Sequence, residues 1–286
     1  MGQRIRVITD SLSDIPPEIA QRLGIRVVPI YLYINGISYR DDGNLDHKWF
    51  YDHLTQDTTL PQTAAPAAEE ILSVYQTLVA EGAEEIVTLF MDSHLSSLST
   101  NARLAAKQLV GGHVHIMETS QVSMGIGWMV IAAAEAAQQG ASVADIADLV
   151  ADMRQRTLLV GVLNSLEHLR RGGRIGWARA RFGDMLQIKP LILFQEGEAR
   201  LVGQVRTYRR ALSWLVDWVR EVAPLERLAF LHSHLDPAIV AQLCSDFSPY
   251  VPDANVMLVE VGPIFSTHVG PNGVGVALVR AKGTAC

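Results

Sequence analysis

Hydroxyls and acids gather at three places in this chain, each directly after an apolar run. The segments are Arg6–Asp14 (RVITDSLSD), Ile86–Ser97 (IVTLFMDSHLSS) and Val114–Ser123 (VHIMETSQVS). Each run reads as a strand buried on both faces that stops in a polar loop. The second and third loops lead into stretches of helical apolar spacing. Open α/β sheets bind ligands beyond the carboxyl ends of parallel strands, where strand order reverses. Three such ends predict one shared site, rich in Ser and Thr and poor in cations, suited to a small polar head. The same residue types also cap helices, and a helix start with free N–H groups attracts anions. Ser96 and Ser97, just before a helix expected from Thr100, are the best placed for that role.

Other residues could do chemistry too. The segment Leu169–Phe182 sets Arg170, Arg171, Arg174, Arg179 and Arg181 around Gly172-Gly173. It reads as a solvated basic loop or as a docking patch for an acidic partner or a phosphate, with Arg174 singled out by the flexible pair before it. His268 stands beside Ser266 and Thr267 and ahead of a Gly/Pro-rich turn, where it could hydrogen-bond an anion. His113/His115 and His232/His234 alternate as HxH, so each pair shares a strand face. No carboxylate at metal-like spacing joins them in sequence, and no metal is expected. Gly125–Val130 (GIGWMV) begins like a dinucleotide-binding fingerprint but has Val130 where the third glycine belongs. There is no GxxxxGK[ST] and no GxSxG, so neither a nucleotide-phosphate loop nor an activated serine is indicated.

The elements that must position these residues alternate. Strands are expected at Arg4–Thr9, Ile25–Ile34, Ile86–Met91 and Val114–Met117. Helices are expected at Pro16–Leu23 with Asp14 as cap, within Thr63–Glu81, at Thr100–Leu109, and at Met124–Gln139. Gly140 ends that last helix, and Ser142 caps another running through about Arg156. This alternation predicts a parallel sheet with helices on its faces. After a strand at Leu158–Leu163 and a short helix at Ser165–Arg171, the pattern changes. Lys189–Val205 reads as a hairpin around Glu196–Gly197. Helix Tyr208–Val222, strand Leu228–His232, helix Pro237–Asp246 and strands Asn255–Val261 and Gly275–Val279 complete the chain. The expected architecture is α/β with two domains: a parallel-sheet domain over 1–158 and an α+β domain over 159–286.

Composition narrows the class of function. The 286 residues are 49% hydrophobic and carry a formal net charge of −6, with a pI near 5.8. Bulk positive charge for nucleic-acid binding is absent. The longest apolar stretch, Met124–Ala137, contains Glu135 and falls short of the ~20 residues that span a bilayer. The N-terminus enters a strand without a signal-peptide apolar region, which predicts a cytoplasmic protein. Cys244 and Cys286 lie far apart, supporting neither a disulfide framework nor a thiolate zinc site.

Five segments in order resemble the DegV family of bacterial fatty-acid-binding proteins. TDSLSD resembles its TDSxxD, PQTAAP (Pro61–Pro66) its TSQP, and MDSHLSSLSTNA (Met91–Ala102) its SSxLSGTYxSA. LRRGGRI (Leu169–Ile175) matches LxxGGRI, and THVGP (Thr267–Pro271) matches HTGP. The resemblance spans residues 4 to about 280. It implies two domains with one long-chain fatty acid between them, its tail in an apolar tunnel. Its carboxylate would be held by Thr63, Ser96 or Ser93, and His268. The protein would then be a carrier with no cofactor and no catalysis of its own. A separate ATP-dependent fatty acid kinase would act on the carboxylate, with Arg174 near the exposed head. Three motifs depart from the family pattern: Ala64-Ala65 replace Ser-Gln, Ser97-Leu98 replace Gly-Thr, and Val269 replaces Thr. Two other readings belong to different classes. One is a stand-alone Ser/His acyl hydrolase or transferase using Ser96 and His268. The other is a binding module for another small anion.

Overall fold

The computed structural model describes residues 4–56, 60–164, 166–173, 188–247 and 256–283. By contacts the chain divides into two compact units. One comprises Met1–Leu45 and Thr63–Gln155, the other Asp46–Gln62 and Arg156–Cys286. The second unit thus takes in a segment from the middle of the first half, which a division at a single point such as 158/159 does not contain.

The first unit is built on a four-stranded, wholly parallel sheet of β1 (Ile5–Asp10), β2 (Arg26–Val28), β6 (Glu85–Phe90) and β7 (His113–Glu118), in the order β2-β1-β6-β7. Parallel strands need crossovers, and helices supply them: α1 (Pro17–Leu23), α3 (Ala68–Ala80) and α4 (Leu98–Gln108), while α5 (Met124–Gln138) follows the last strand, β7. Side chains alternate along a strand, so the even-numbered Ile8, Ile86 and Phe90 share a face. On it they meet Ile71, Tyr75 and Leu78 of α3 and Leu98, Ala102 and Ala105 of α4. Helix α5 packs against β1 and β6 and is buried without a break from Met124 to Ala134. α6 (Val143–Arg156) follows, with Ser142 and Asp145 as a reciprocal cap: Asp145 N–H donates to Ser142 Oγ at 3.2 Å, and Ser142 N–H to the Asp145 carboxylate at 2.9 Å.

Local sequence explains several departures from the expected elements. The extended run at Ile25–Ile34 breaks into β2 and β3 (Tyr31–Ile34). Asn35 and Gly36 take positive φ, 51° and 80°, and so form the turn of a hairpin into β4 (Ile37–Arg40), where only a turn was expected. Thr63 lies in the short strand β5 (Gln62–Ala64), which joins β3 and β4 in a separate sheet ordered β4-β3-β5, and not in the helix that follows. Asp14 does not cap α1, whose cap position is Pro16. It sits in the left-handed region behind a 3-10 turn at Ser11–Ser13.

The second unit carries a six-stranded mixed sheet in the order β10-β9-β8-β13-β11-β12. Its strands are β8 (Thr157–Val162), β9 (Lys189–Gln195), β10 (Glu198–Val205), β11 (Leu225–His232), β12 (Val256–Glu260) and β13 (Val274–Arg280), and only β11 and β12 pair in parallel. Glu196 and Gly197, at φ 51° and 78°, close the β9–β10 hairpin. On one face α8 (Tyr208–Val222) sets Ala211, Leu215 and Val219 against Val160, Phe230 and Val276, with Val240 of α9 (Pro237–Phe247) in the same core. A smaller cluster joins Leu163 and Ile192 to Leu169 of α7 (Glu167–Arg171) and to Phe265 and Val269 of α10 (Pro263–Val269). Neither α10 nor α2 (His47–Gln56) was expected. Both are short and rich in polar or β-branched residues, and they pack on one another. Tyr51 of α2 donates its hydroxyl proton to the Val261 carbonyl at 3.0 Å and lies 2.7 Å from Ser266 Oγ.

Candidate functional site

In the first unit the chain leaves β1 in one direction, toward β2, while β6 and β7 lie on its other side. Strand order therefore reverses between β1 and β6, and the carboxyl ends of those two strands border the crevice where such sheets bind ligands. All three hydroxyl-rich loops emerge along this edge. Carboxylates and serines pin them together. Ser123 Oγ donates to Asp14, while Asp92 accepts from Ser120 N–H at 2.7 Å and from its hydroxyl at 2.8 Å. Arg154 donates to the same Ser120 hydroxyl at 2.6 Å. Ser120 and Ser123 adopt φ of 53° and 51°, strained values for serine that the surrounding bonds hold. β7 is the edge strand of this sheet and is only partly buried, not covered on both faces.

The two serines considered for a ligand differ in what engages them. Ser93 is exposed, and its N–H and hydroxyl both bond Glu118. Burial alone would raise the Glu118 pKa, but hydrogen bonds from Arg103 and Ser93 bring it below the ordinary carboxylate value. Ser96 is half-buried, and its oxygen accepts from Leu98 N–H at 3.2 Å, opening α4. Thr63 is half-buried in β5. Its loop is fastened to α4 by Asn101 Nδ2, which donates to the Pro66 carbonyl at 2.8 Å. Thr63 and Ser96 thus precede α3 and α4, the two helices on the even-numbered face of the sheet.

Asp10 ends β1 and was not singled out in sequence. It is fully buried, and its Oδ1 accepts from Leu12 N–H at 2.8 Å. Its Oδ2 has no hydrogen-bond partner among the described residues. Burial, and then the nearby charges of Asp14 and Asp41, push its pKa up to about 7 against the pull of the Leu12 bond. The available signal was an acid ending an apolar strand just before a Ser-Leu-Ser-Asp turn.

In the second unit His268 occupies the last turn of α10 and is half-buried. The neighbouring hydroxyls do not join it as ligand donors. Ser266 and Thr267 are buried, Ser266 with Tyr51, and Thr267 donating to the Pro263 carbonyl at 2.8 Å. Two glycines make room for two imidazoles. A Cβ on Gly172 would lie 2.8 Å from His268 Nδ1, and one on Gly270 would lie 2.7 Å from His168 Nδ1. The GG and HxG segments therefore interlock α7 and α10. Burial, then the Arg171 charge, lowers the His168 pKa below the ordinary histidine value. Arg170 and Arg171 are paired with Glu167 at 2.8 and 3.8 Å. Arg174 lies outside the described residues.

The remaining motifs resolve into packing and ion pairs. Gly127 lets α5 approach the loop after β1, since a Cβ there would stand 2.9 Å from the Ser13 carbonyl oxygen. That close packing accounts for the incomplete dinucleotide fingerprint. Each HxH pair meets a glutamate of the adjoining parallel strand: His115 and His113 lie 2.6 and 3.6 Å from Glu85, and His234 lies 3.6 Å from Glu260. Among the described residues no group of three or more His, Cys, Asp or Glu could hold a metal ion. No helix among them is long and apolar enough to cross a membrane.

Hydroxyl-rich loops at the switch point of its parallel sheet place the first unit among the α/β folds that take ligands at that edge. The family model described as "Uncharacterised protein, DegV family" matches residues 4–281, and the chain belongs to that family. A DegV domain-containing protein of Deinococcus radiodurans is 33% identical over 280 residues, covering 96% of this chain and 98% of that one. A DegV family protein from Thermus thermophilus, whose structure is described by its fatty acid binding, superposes with a TM-score of 0.88 at 30% identity, covering 97% and 100% of the two chains. A fatty acid binding DegV family protein from Streptococcus agalactiae gives 0.84 at 26% identity, covering 98% and 100%.

Proposed function

We propose that this chain carries one long-chain fatty acid and presents its carboxylate to a separate ATP-dependent fatty acid kinase in the cytoplasm. The observation that carries the reading is the likeness, at 30% identity over nearly the whole of both chains, to the fatty-acid-binding protein of Thermus thermophilus. The carboxylate is assigned to Thr63, Ser96 and His268. Ser96 ranks ahead of Ser93 because Glu118 already engages the latter. A buried carboxylate needs several donors, and hydroxyls, an imidazole and backbone N–H groups supply them without a permanent cationic partner. The tail supplies the affinity: ~14 methylenes at about 0.8 kcal/mol each amount to roughly 11 kcal/mol before ordering costs.

Phosphoryl transfer is assigned to the partner, because the sequence contains no nucleotide-phosphate loop. Arg174, beside the Gly172-Gly173 turn, is assigned to engaging that partner. Native mass spectrometry of freshly purified protein, followed by organic extraction, tests the carrier reading directly. A mass excess of one fatty acid per chain is expected. A chain that is free of lipid and stays so after incubation with oleate overturns the reading.

A further inference from the structure

Asp10 combines four features that a purely structural acid does not need. It is the last residue of β1, at the switch point beside β6, whose loop carries Ser96. Its side chain lies on the even-numbered face, because Ile8 and Phe90 on that face both belong to the core formed with α3 and α4. Continuing the β1–β6 register, which pairs Ile8 with Thr88, sets Asp10 level with Phe90. Thr63 and Ser96 enter from that same face and edge, just ahead of α3 and α4. The capping task is complete with one oxygen, Oδ1 on Leu12 N–H, leaving Oδ2 buried and without a partner among the described residues.

An unpaired carboxylate oxygen there would be costly, and Asp14 and Asp41 oppose the charge further. A protonated Oδ2 is instead a donor that lacks an acceptor. A ligand carboxylate arriving at the switch point is such an acceptor.

We propose that Asp10 is a further head-group residue of the fatty acid site, holding a proton on Oδ2 and donating it in a hydrogen bond to the bound carboxylate. The inference rests on the carrier reading and adds a regulation to it. Two carboxyl groups at hydrogen-bond distance share one proton, since both cannot be ionised together cheaply. When Asp10 is ionised before binding, one proton is therefore taken up from solvent as the complex forms, with no other bond made or broken. When it is already protonated, none is taken up. Retention of the ligand weakens as pH rises. With the group titrating near 7, apparent affinity falls about tenfold between pH 6 and pH 8.

The test uses the full chain, stripped of lipid, and oleate as the probe. Binding is titrated calorimetrically from pH 6 to pH 8 in buffers of differing ionisation heat, for the native chain and for Asp10→Asn. Asparagine keeps the Leu12 cap and a donor but cannot titrate. The native chain is expected to lose about tenfold in affinity over that range and to take up close to one proton at pH 8. Asp10→Asn should bind at pH 8 at least as well as the native chain does at pH 6, with the pH dependence flattened. A pH dependence and proton uptake that persist in Asp10→Asn overturn the proposal while leaving the carrier reading intact. So does an absence of proton uptake by the native chain, which requires no variant to fold. A native chain that binds no oleate at any pH overturns both.

Discussion

Gly172 and His268 are in contact so close that a single methyl group on the glycine would stand 2.8 Å from the imidazole Nδ1. The two residues are 96 positions apart, yet the glycine is what seats the histidine. Gly172 itself has φ of −72°, ordinary for any residue, so its role here is space and not backbone freedom. Gly172→Ala should therefore displace the ring. The expected cost is about 1–3 kcal/mol of overpacking, with a larger loss in bound lipid than in unfolding midpoint. In a His268→Ala background the same substitution should cost less, because the ring it strikes is gone. Thermal unfolding of the four chains of this cycle measures the coupling, and strict additivity would refute the contact.

Thr63 and His268 are both half-buried, and neither belongs to a hydrophobic core cluster. Thr63→Val and His268→Ala should each leave the fold cooperative while lowering the lipid recovered by extraction from purified protein. Normal lipid content in both variants would remove these residues from the head-group site.

Arg174→Ala should separate binding from transfer. Lipid content is expected to match the native chain, while acyl phosphate formed with an added kinase partner falls by at least tenfold. Unchanged coupled activity would take Arg174 out of the partner surface.

Tyr51 ties helix α2 to the rest of the second unit by hydrogen bonds and a ring contact. Its hydroxyl serves the Val261 carbonyl and Ser266, and its ring stacks on His234 with centroids 4.9 Å apart. Tyr51→Phe keeps the stack and removes the hydroxyl. It should lower stability by about 1–2 kcal/mol, the cost of leaving buried acceptors underserved, read from the denaturation midpoint. Ser266 can still donate to Val261 at 3.4 Å, which keeps the penalty moderate.

Sequence and structure agree where local forces decide and part where distant contacts do. Helix α8 has the bounds expected from its apolar spacing, Tyr208–Val222, and the hairpin turns where Glu196–Gly197 favours it. The three polar strand ends are indeed neighbours on one sheet edge. By contrast α2, HKWFYDHLTQ, is mostly polar, its apolar face limited to Phe50, Tyr51 and Leu54, and Tyr51 finds its partners 210 and 215 positions onward. α10 opens with Pro263 and carries Ile, Thr and Val, which lower helix propensity, so packing against α7 and α2 holds it. Ser96 and His268 could be picked out from their settings, a helix start and a Gly/Pro-rich turn, and Thr63 only because its segment matches a family pattern. Asp10 could not, because burial and a missing partner are visible only in three dimensions.

That burial carries a stability prediction independent of any ligand. The Asp10 pKa rises from 3.8 to about 7 on folding, with desolvation the main cause. The folded state then holds a proton that the unfolded chain releases near pH 4. Stability from this group is therefore full below about pH 4 and is lost as pH rises toward 7, after which it stays constant. A shift of about 3 pKa units corresponds to at most about 4 kcal/mol. Asparagine carries no such burden, so Asp10→Asn should gain on the native chain steadily between pH 4 and pH 7 and hold a constant lead above. Urea unfolding of lipid-free protein at several pH values gives the difference directly. A difference that does not change with pH would mean that Asp10 ionises as readily in the folded chain as in the unfolded one.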